Sequence, residues 1–247
     1  MTGNDLTGND LTVRGLVVRY GKASAVNHVD LDVPAGRVTA LVGPNGAGKS
    51  STLLGIYGSI TAHGSVTVGG RELTSMSAAR RARAGISLVP QGRQLFPKMS
   101  VAENLRLYAD LLALPPSAAL SAMDRFPILH DRRAQMAGVL SGGEQQMLVV
   151  ARALMAEPSV VLLDEMTTGL APKIVSELTD AVAELARGGA AVLLAAPAIA
   201  ATMRIIDRGY VLVRGEVVDA AESGEQLDRA YQRAMGLIQD EVQAESV

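Results

Sequence analysis

Two stretches of this sequence combine residues suited to polyphosphate chemistry. The run Gly43-Pro44-Asn45-Gly46-Ala47-Gly48-Lys49-Ser50-Ser51 has glycines at 43 and 48 followed by a lysine and a hydroxyl, the spacing G-x-x-x-x-G-K-[ST]. Glycines let the backbone curl so that successive N–H groups point inward at phosphate oxygens. A helix beginning near Lys49 would add its positive end. Lys49 is then spaced to reach β- and γ-phosphates and Ser50 to offer its hydroxyl to Mg²⁺. The second stretch, VVLLDE, runs apolar into Asp164 and Glu165. If it is a strand of a parallel sheet, its carboxyl end faces the ligand crevice. Asp164 then holds Mg²⁺ through water, and Glu165 orients or deprotonates an attacking water as general base. An Asp-Glu pair by itself reads as a helix cap with a first-turn acid; beside the glycine loop the catalytic reading is favoured.

These residues need a scaffold, and the sequence supplies one. From Leu11 onward, short β-branched runs (LVVRY, VTALVG, GISLVP, VVLLDE, AAVLLA, GYVLV) alternate with Ala/Leu-rich stretches. Strands that are apolar throughout and separated by helices predict a parallel sheet covered on both faces. Residues 101–139 differ, with helical patterns broken by Pro115, Pro116 and Pro127; they predict a helical insertion within one α/β domain. Residues 190–203 read as a buried strand running into a helix. The tandem TGNDL repeat of residues 2–11 is polar and turn-forming, so residues 1–10 are expected to be a disordered tail. The end of the chain patterns as a short helix followed by an acidic tail at 237–247.

A third motif lies between the first two. In LSGGEQQMLVVARALMAEP, Ser141, Gly142 and Gly143 cap a helix, making a second anion site on the same polypeptide. One nucleotide cannot easily use both sites on one chain, which suggests a second copy or a related partner. Together, the glycine loop, LSGGEQQ and VVLLDE resemble the ATPase subunit of ABC transporters, from about Leu11 to Gly236. The resemblance implies a P-loop NTPase fold: a mainly parallel sheet flanked by helices, an N-terminal antiparallel β portion and a helical subdomain at about 98–156. It implies ATP and Mg²⁺ as ligands. It further implies a head-to-tail dimer, homo- or heteromeric, in which Ser141 and Gly143 touch the γ-phosphate of ATP held by the partner. Tyr20 matches the aromatic residue that stacks on adenine, and Gln91 the glutamine that senses Mg²⁺. The surface of residues 96–105 would meet a cytoplasmic helix of a transmembrane permease subunit, placing the chain on the inner face of a membrane. Phrases such as LVPQGRQLFPKMSVAENL and TTGLAPKI look like the second ATPase of branched-chain amino-acid, amide or urea importers, which also use an extracytoplasmic solute-binding protein.

One departure bears on activity. Where the family carries a switch histidine, with glutamine tolerated in this branch, the chain reads Ala195-Ala196-Pro197-Ala198. Proline has neither a side-chain donor nor a backbone N–H. The expectation is an ATPase impaired at its own site, with a nucleotide-holding subunit that completes a partner's site as the alternative. Met166 and Ala171 also stand where the family has proline and, in many members, aspartate.

Composition narrows the class. The chain has 247 residues, net charge −2 and no cysteine, so disulfides and thiolate metal sites are excluded and no global basic field favours nucleic acid. The short clusters Arg80-Arg81-x-Arg83 and Arg132-Arg133 read as solvated faces, against a soluble DNA- or RNA-directed ATPase. Mean hydropathy is +0.22, but the least polar run, 190–203, falls short of the roughly 20 apolar residues a spanning helix needs. The N-terminus lacks the pattern of a signal peptide, and a cytoplasmic location is expected.

Overall fold

The structure is a computed structural model describing residues 8–238. Two sheets make its frame. Strands β1 (Leu11–Tyr20), β2 (Ala23–Val33), β4 (Ala62–Val68) and β5 (Arg71–Glu72) form an antiparallel sheet in the order β2-β1-β4-β5. Strands β3 (Val38–Val42), β6 (Ile86–Val89), β7 (Val160–Asp164), β8 (Ala191–Ala196), β9 (Arg208–Val213) and β10 (Glu216–Ala221) form the second, in the order β10-β9-β3-β8-β7-β6. Its strands run parallel except β10, which returns antiparallel to β9.

Helix α1 (Lys49–Tyr57) follows β3, and α2 (Ala78–Arg83) precedes β6. A lobe follows β6: α3 (Val101–Leu111), α4 (Ser117–Asp124), α5 (Ile128–Asp131) and α6 (Gly142–Leu154). Helices α7 (Pro172–Arg187) and α8 (Gly224–Ala234) complete the fold.

The apolar strands are buried because both sheet faces are covered, and the two-residue period of a strand sorts their side chains. Val161, Leu163, Val192 and Leu194 enter the core shared with the helical lobe and α7. Val160, Leu162, Ala191, Leu193 and Ala195 enter the core shared with α1 and the antiparallel sheet. Asp164 is in phase with the second set, which turns it toward α1. The lobe packs by helical period: Val101, Leu105 and Ala109 of α3 are buried at i, i+4, i+8. Both α3 and α6 open with reciprocal capping boxes, Ser100 with Glu103 and Ser141 with Glu144.

Several expectations are revised. Residues 190–203 hold strand β8 but no α-helix. After Pro197 the chain closes a turn, Thr202 N donating to Ile199 O at 2.8 Å, then makes a single 3₁₀ turn at Met203–Ile205. Proline withholds a backbone donor at the start of this connection. The expected tail loses its last residues: Asn9 Nδ2 donates to Gly189 O at 3.1 Å and Asp10 Oδ1 accepts from Ala35 N at 2.6 Å. Residues 1–7 and the acidic end at 239–247 lie outside the described residues. Arg81, read as part of a solvated face, is 5% exposed and donates to the carbonyls of Gly55, Ile56, Thr74 and Met76. The segment 96–105 divides: Phe96, Pro97 and Lys98 are exposed, while Val101, Asn104 and Leu105 are buried.

Candidate functional site

Strand β3, buried along its length between β8 and β9, delivers the chain to Gly43. The two motif glycines are dictated by backbone from other strands. A Cβ at Gly43 would run into the carbonyl of Leu212, and one at Gly48 into the carbonyl of Ala25. Gly46 and Gly48 adopt φ of 81° and 109°, left-handed values that a side chain resists. Gly215 N donates to Ala47 O at 2.8 Å, so the turn between β9 and β10 braces the loop from behind. Pro44, Asn45 and Gly46 form its outer rim, with Asn45 and Gly46 exposed.

Lys49 opens α1 with its side chain buried. Its Nζ donates to Gly43 O at 2.7 Å and Pro44 O at 3.0 Å, bonds that occupy the ammonium until an anion replaces them. Burial lowers its pKa, with the charges of Glu165 and Asp164 opposing. Ser51, on the same helix, lies 3.4 Å from the Tyr20 hydroxyl. The Tyr20 side chain is 53% exposed at the end of β1, leaving a ring face beside the loop open to a planar ligand.

Asp164 ends β7 at 5% exposure. Burial pushes its pKa up, against a hydrogen bond from Ser50; the charge of Glu165 adds to the rise and that of Lys49 opposes it. Its Oδ1 has no hydrogen-bond partner among the described residues, which leaves a buried carboxylate oxygen open to accept a cation or water. Among the described residues no cluster of three His, Cys, Asp or Glu could hold a metal alone. One carboxylate and one hydroxyl suit Mg²⁺, which is typically completed by water and substrate phosphates. These residues therefore fit a Mg²⁺ ion that arrives with its nucleotide.

Glu165 follows at φ 51°, an uncommon conformation for a residue with a side chain. Its N–H donates to Ala195 O at 3.0 Å and its Oε2 accepts from Gln91 Nε2 at 2.9 Å. Asn45, Gly46, Gly48, Lys49, Ser50 and Ser51, with Gln91 and Glu165, line one cavity of about 300 Å³. The structure thus brings together the loop, Gln91 and Glu165, with Asp164 at its floor through Ser50.

It does not bring Ser141, Gly142 and Gly143 to that cavity; none of them lines it. A neighbouring cavity of about 490 Å³ shares Gln91 and Glu165 and extends to Gln145 and Gln146 on α6. The register pairs Val42 with Ala196, so Pro197 emerges from β8 level with Gly43 from β3. Ala195, Ala196 and Pro197 present no polar side chain there.

The ABC transporter family matches residues 26–168, from β2 through the loop, the signature and the acidic pair. This chain belongs to the ABC transporter family, as an ATP-binding subunit. It is similar to the high-affinity branched-chain amino acid transport ATP-binding protein BraG of Pseudomonas aeruginosa, 38% identical over 202 residues, covering 81% of this chain and 87% of that protein. A second relative, named "Probable branched-chain amino acid transport ATP-binding protein LivF", from Archaeoglobus fulgidus, is 36% identical over 204 residues, 81% of this chain and 86% of its own length. A solved ATP-binding cassette of an ABC transporter superposes with a TM-score of 0.82 at 26% identity, over 94% of this chain and 99% of that one.

Within this ABC ATPase, two features escaped sequence reasoning. Ala25 lines the loop cavity through a strand whose pairing with β1 is irregular, and nothing in an alanine signals that. Arg93 bonds across to α6; it sits in the quoted QGRQLF phrase, but its partner is distant in sequence. Met166, where the family has proline, is fully buried in the lobe core.

Proposed function

We propose that this ABC ATPase powers import of branched-chain amino acids or related small polar solutes through permease subunits. It would sit on the inner face of the membrane and pair head-to-tail with a second ABC ATPase. The solute class is supported by the branched-chain amino acid transport for which its relatives are named. The pairing is supported by the distance between the two anion sites of one chain: the signature residues lie outside the P-loop cavity.

In this reading Gly43, Pro44, Asn45, Gly46, Ala47 and Gly48 wrap the ATP phosphates while Tyr20 stacks on the adenine. Lys49 exchanges its bonds to Gly43 O and Pro44 O for phosphate oxygens. Ser50, Asp164 and Gln91 hold the cation. When bound there, Mg²⁺ would supply charge neutralisation to the polyphosphate. Glu165 accepts a proton from the water whose oxygen attacks the γ-phosphorus, as the bond to the ADP oxygen breaks. Ser141, Gly142 and Gly143 serve the nucleotide of the partner.

The single observation carrying this function is the convergence of Lys49, Ser50, Gln91 and Glu165 on one cavity, with the buried Asp164 tied to it by a hydrogen bond from Ser50. The bare end of β8 leads us to infer a slowed site, since one missing donor at a phosphoryl-transfer centre costs about 10²–10³ in rate. The test is Mg²⁺-dependent ATP hydrolysis by the purified chain beside Glu165→Gln and Pro197→His. Turnover should be slow, fall at least about 100-fold in Glu165→Gln, and rise at least about tenfold in Pro197→His. Unchanged turnover in Glu165→Gln would remove the carboxylate from the mechanism, and no rise in Pro197→His would show that the site needs no further donor.

A further inference from the structure

The loop after β6 takes three left-handed residues in succession: Gly92 at φ 87°, Arg93 at 62° and Gln94 at 38°. Glycine adopts such values freely, whereas residues with side chains resist them. Contacts elsewhere hold the loop in place. Arg152 of α6, 4% exposed and stacked 4.4 Å from the Tyr108 ring centre, donates from Nη1 to Gln94 O at 2.8 Å. Arg93 donates from Nη1 to Gln145 Oε1 at 3.0 Å. Its guanidinium presses on the signature turn, for a Cβ at Gly142 would meet Nη2 at 2.8 Å. Gln145 in turn donates to Ala137 O at 3.1 Å and Leu140 O at 3.2 Å, and Leu140 immediately precedes Ser141. At the other end of the same loop, Gln91 holds Glu165 at 2.9 Å. A continuous path therefore runs from Glu165 through Gln91, Arg93 and Gln145 to the entry of the signature turn.

We propose that Arg93 is a positioning residue that transmits the state of a chain's own nucleotide cavity to the signature turn it offers a partner. The proposal rests on the nucleotide-site reading above. When Gln91 leaves Glu165 for a bound nucleotide, the backbone two residues on must shift, and Arg93 carries the shift to Gln145 and Gly142. A loop of strained residues pinned by specific side chains favours discrete arrangements over gradual bending. The effect is reciprocal: engagement of the signature by a partner's nucleotide changes the affinity of this chain's own site.

The chain has no cysteine, so the intact protein is its own labelling background. Val139, 73% exposed beside the turn, is changed to cysteine and carries an environment-sensitive fluorophore. Mg²⁺–ATP is titrated while calorimetry measures nucleotide affinity separately. The labelled parent should respond with the calorimetric Kd. Arg93→Ala should keep that Kd within about threefold yet lose at least about fivefold in signal amplitude. Gln145→Ala should do the same, and the double variant should be no worse than either single one. Arg93→Lys, which keeps a donor, should recover part of the amplitude. Undiminished amplitude in Arg93→Ala overturns the proposal, as does a parent that binds ATP without any response. Joint loss of ATP affinity and thermal stability in Arg93→Ala also overturns it, by marking a structural strut. Failure of the parent to bind ATP at all is a separate result, which removes the nucleotide-site reading itself.

Discussion

Asp164 sets two demands against each other. Its carboxylate is buried, one oxygen is unpartnered, and its pKa is raised by burial. A raised folded-state pKa gives a stability contribution that is full below the ordinary carboxylate pKa and is lost as pH rises through the folded value. At neutral pH the ionised group therefore costs stability in the nucleotide-free chain, a cost that Ser50 and Lys49 offset in part and a paired cation would offset further. Asp164→Asn should raise the Tm of the free protein by a few degrees at neutral pH, with the gain shrinking toward acid. With Mg²⁺–ATP present the order should reverse, because the wild type gains binding free energy that the amide cannot match. Thermal denaturation with and without nucleotide, at several pH values, checks both signs. A free-state Tm that falls in Asp164→Asn would mean that the Ser50 hydrogen bond and the Lys49 charge outweigh the cost of burial.

At the scale of elements, the sequence exposed what is local and concealed what is assembled. The loop at 43–50, the helix cap at Ser141 and strand β7 were legible because each is written in adjacent residues: two glycines with a lysine, a capping box, an apolar run ending in acids. The gap between Ser141 and the P-loop cavity was legible too, through the argument that one nucleotide cannot use two anion sites of one chain. The absence of an α-helix after β8 was not legible, since alanine-rich sequence carries helical propensity. Nor was Arg81, whose neighbours Arg80 and Arg83 suggest a charged face. Its four carbonyl acceptors come from α1 and from residues 74 and 76, so no window of α2 contains them. Arg81 closes the C-terminal end of the helix that begins at Lys49, donating to Ile56 O and adding a second donor at Gly55 O, which also accepts from Gly58 N. Arg81→Met should destabilise the protein by about 2–4 kcal/mol, lowering Tm by roughly 5–15 °C. ATP affinity well below the transition should change by less than about twofold, since the first turn of α1 is distant from the lesion. Denaturation and calorimetry on the same preparation separate the two effects. A Tm within about 2 °C of wild type would show that water can replace the guanidinium.

At the scale of the whole molecule, the two helix N-termini proposed to take anions, α1 behind Gly48 and α6 behind Ser141, do not share a cavity. The separation is architectural, since α1 hangs from the parallel sheet and α6 belongs to the helical lobe. A two-fold pairing brings each patch of one subunit to the complementary patch of its mate, so it would complete two sites at once. Two disabled chains should then repair each other. Lys49→Ala spoils the loop and leaves the signature; Ser141→Arg fills the signature turn and leaves the loop. Each variant alone has no complete site in any pairing. Mixed in equal amounts, half the dimers are hybrids, and each hybrid joins the intact loop of one chain to the intact signature of the other. Recovery should approach about a quarter of wild-type hydrolysis, one working site in half the dimers. Recovery at that level would also separate the slowed chemistry proposed for the chain's own site, expected in wild type and hybrid alike, from the contribution of the opposing turn. No recovery, with both variants folded and Ser141→Arg still binding ATP, would overturn self-pairing and leave the signature to serve a different ATPase subunit.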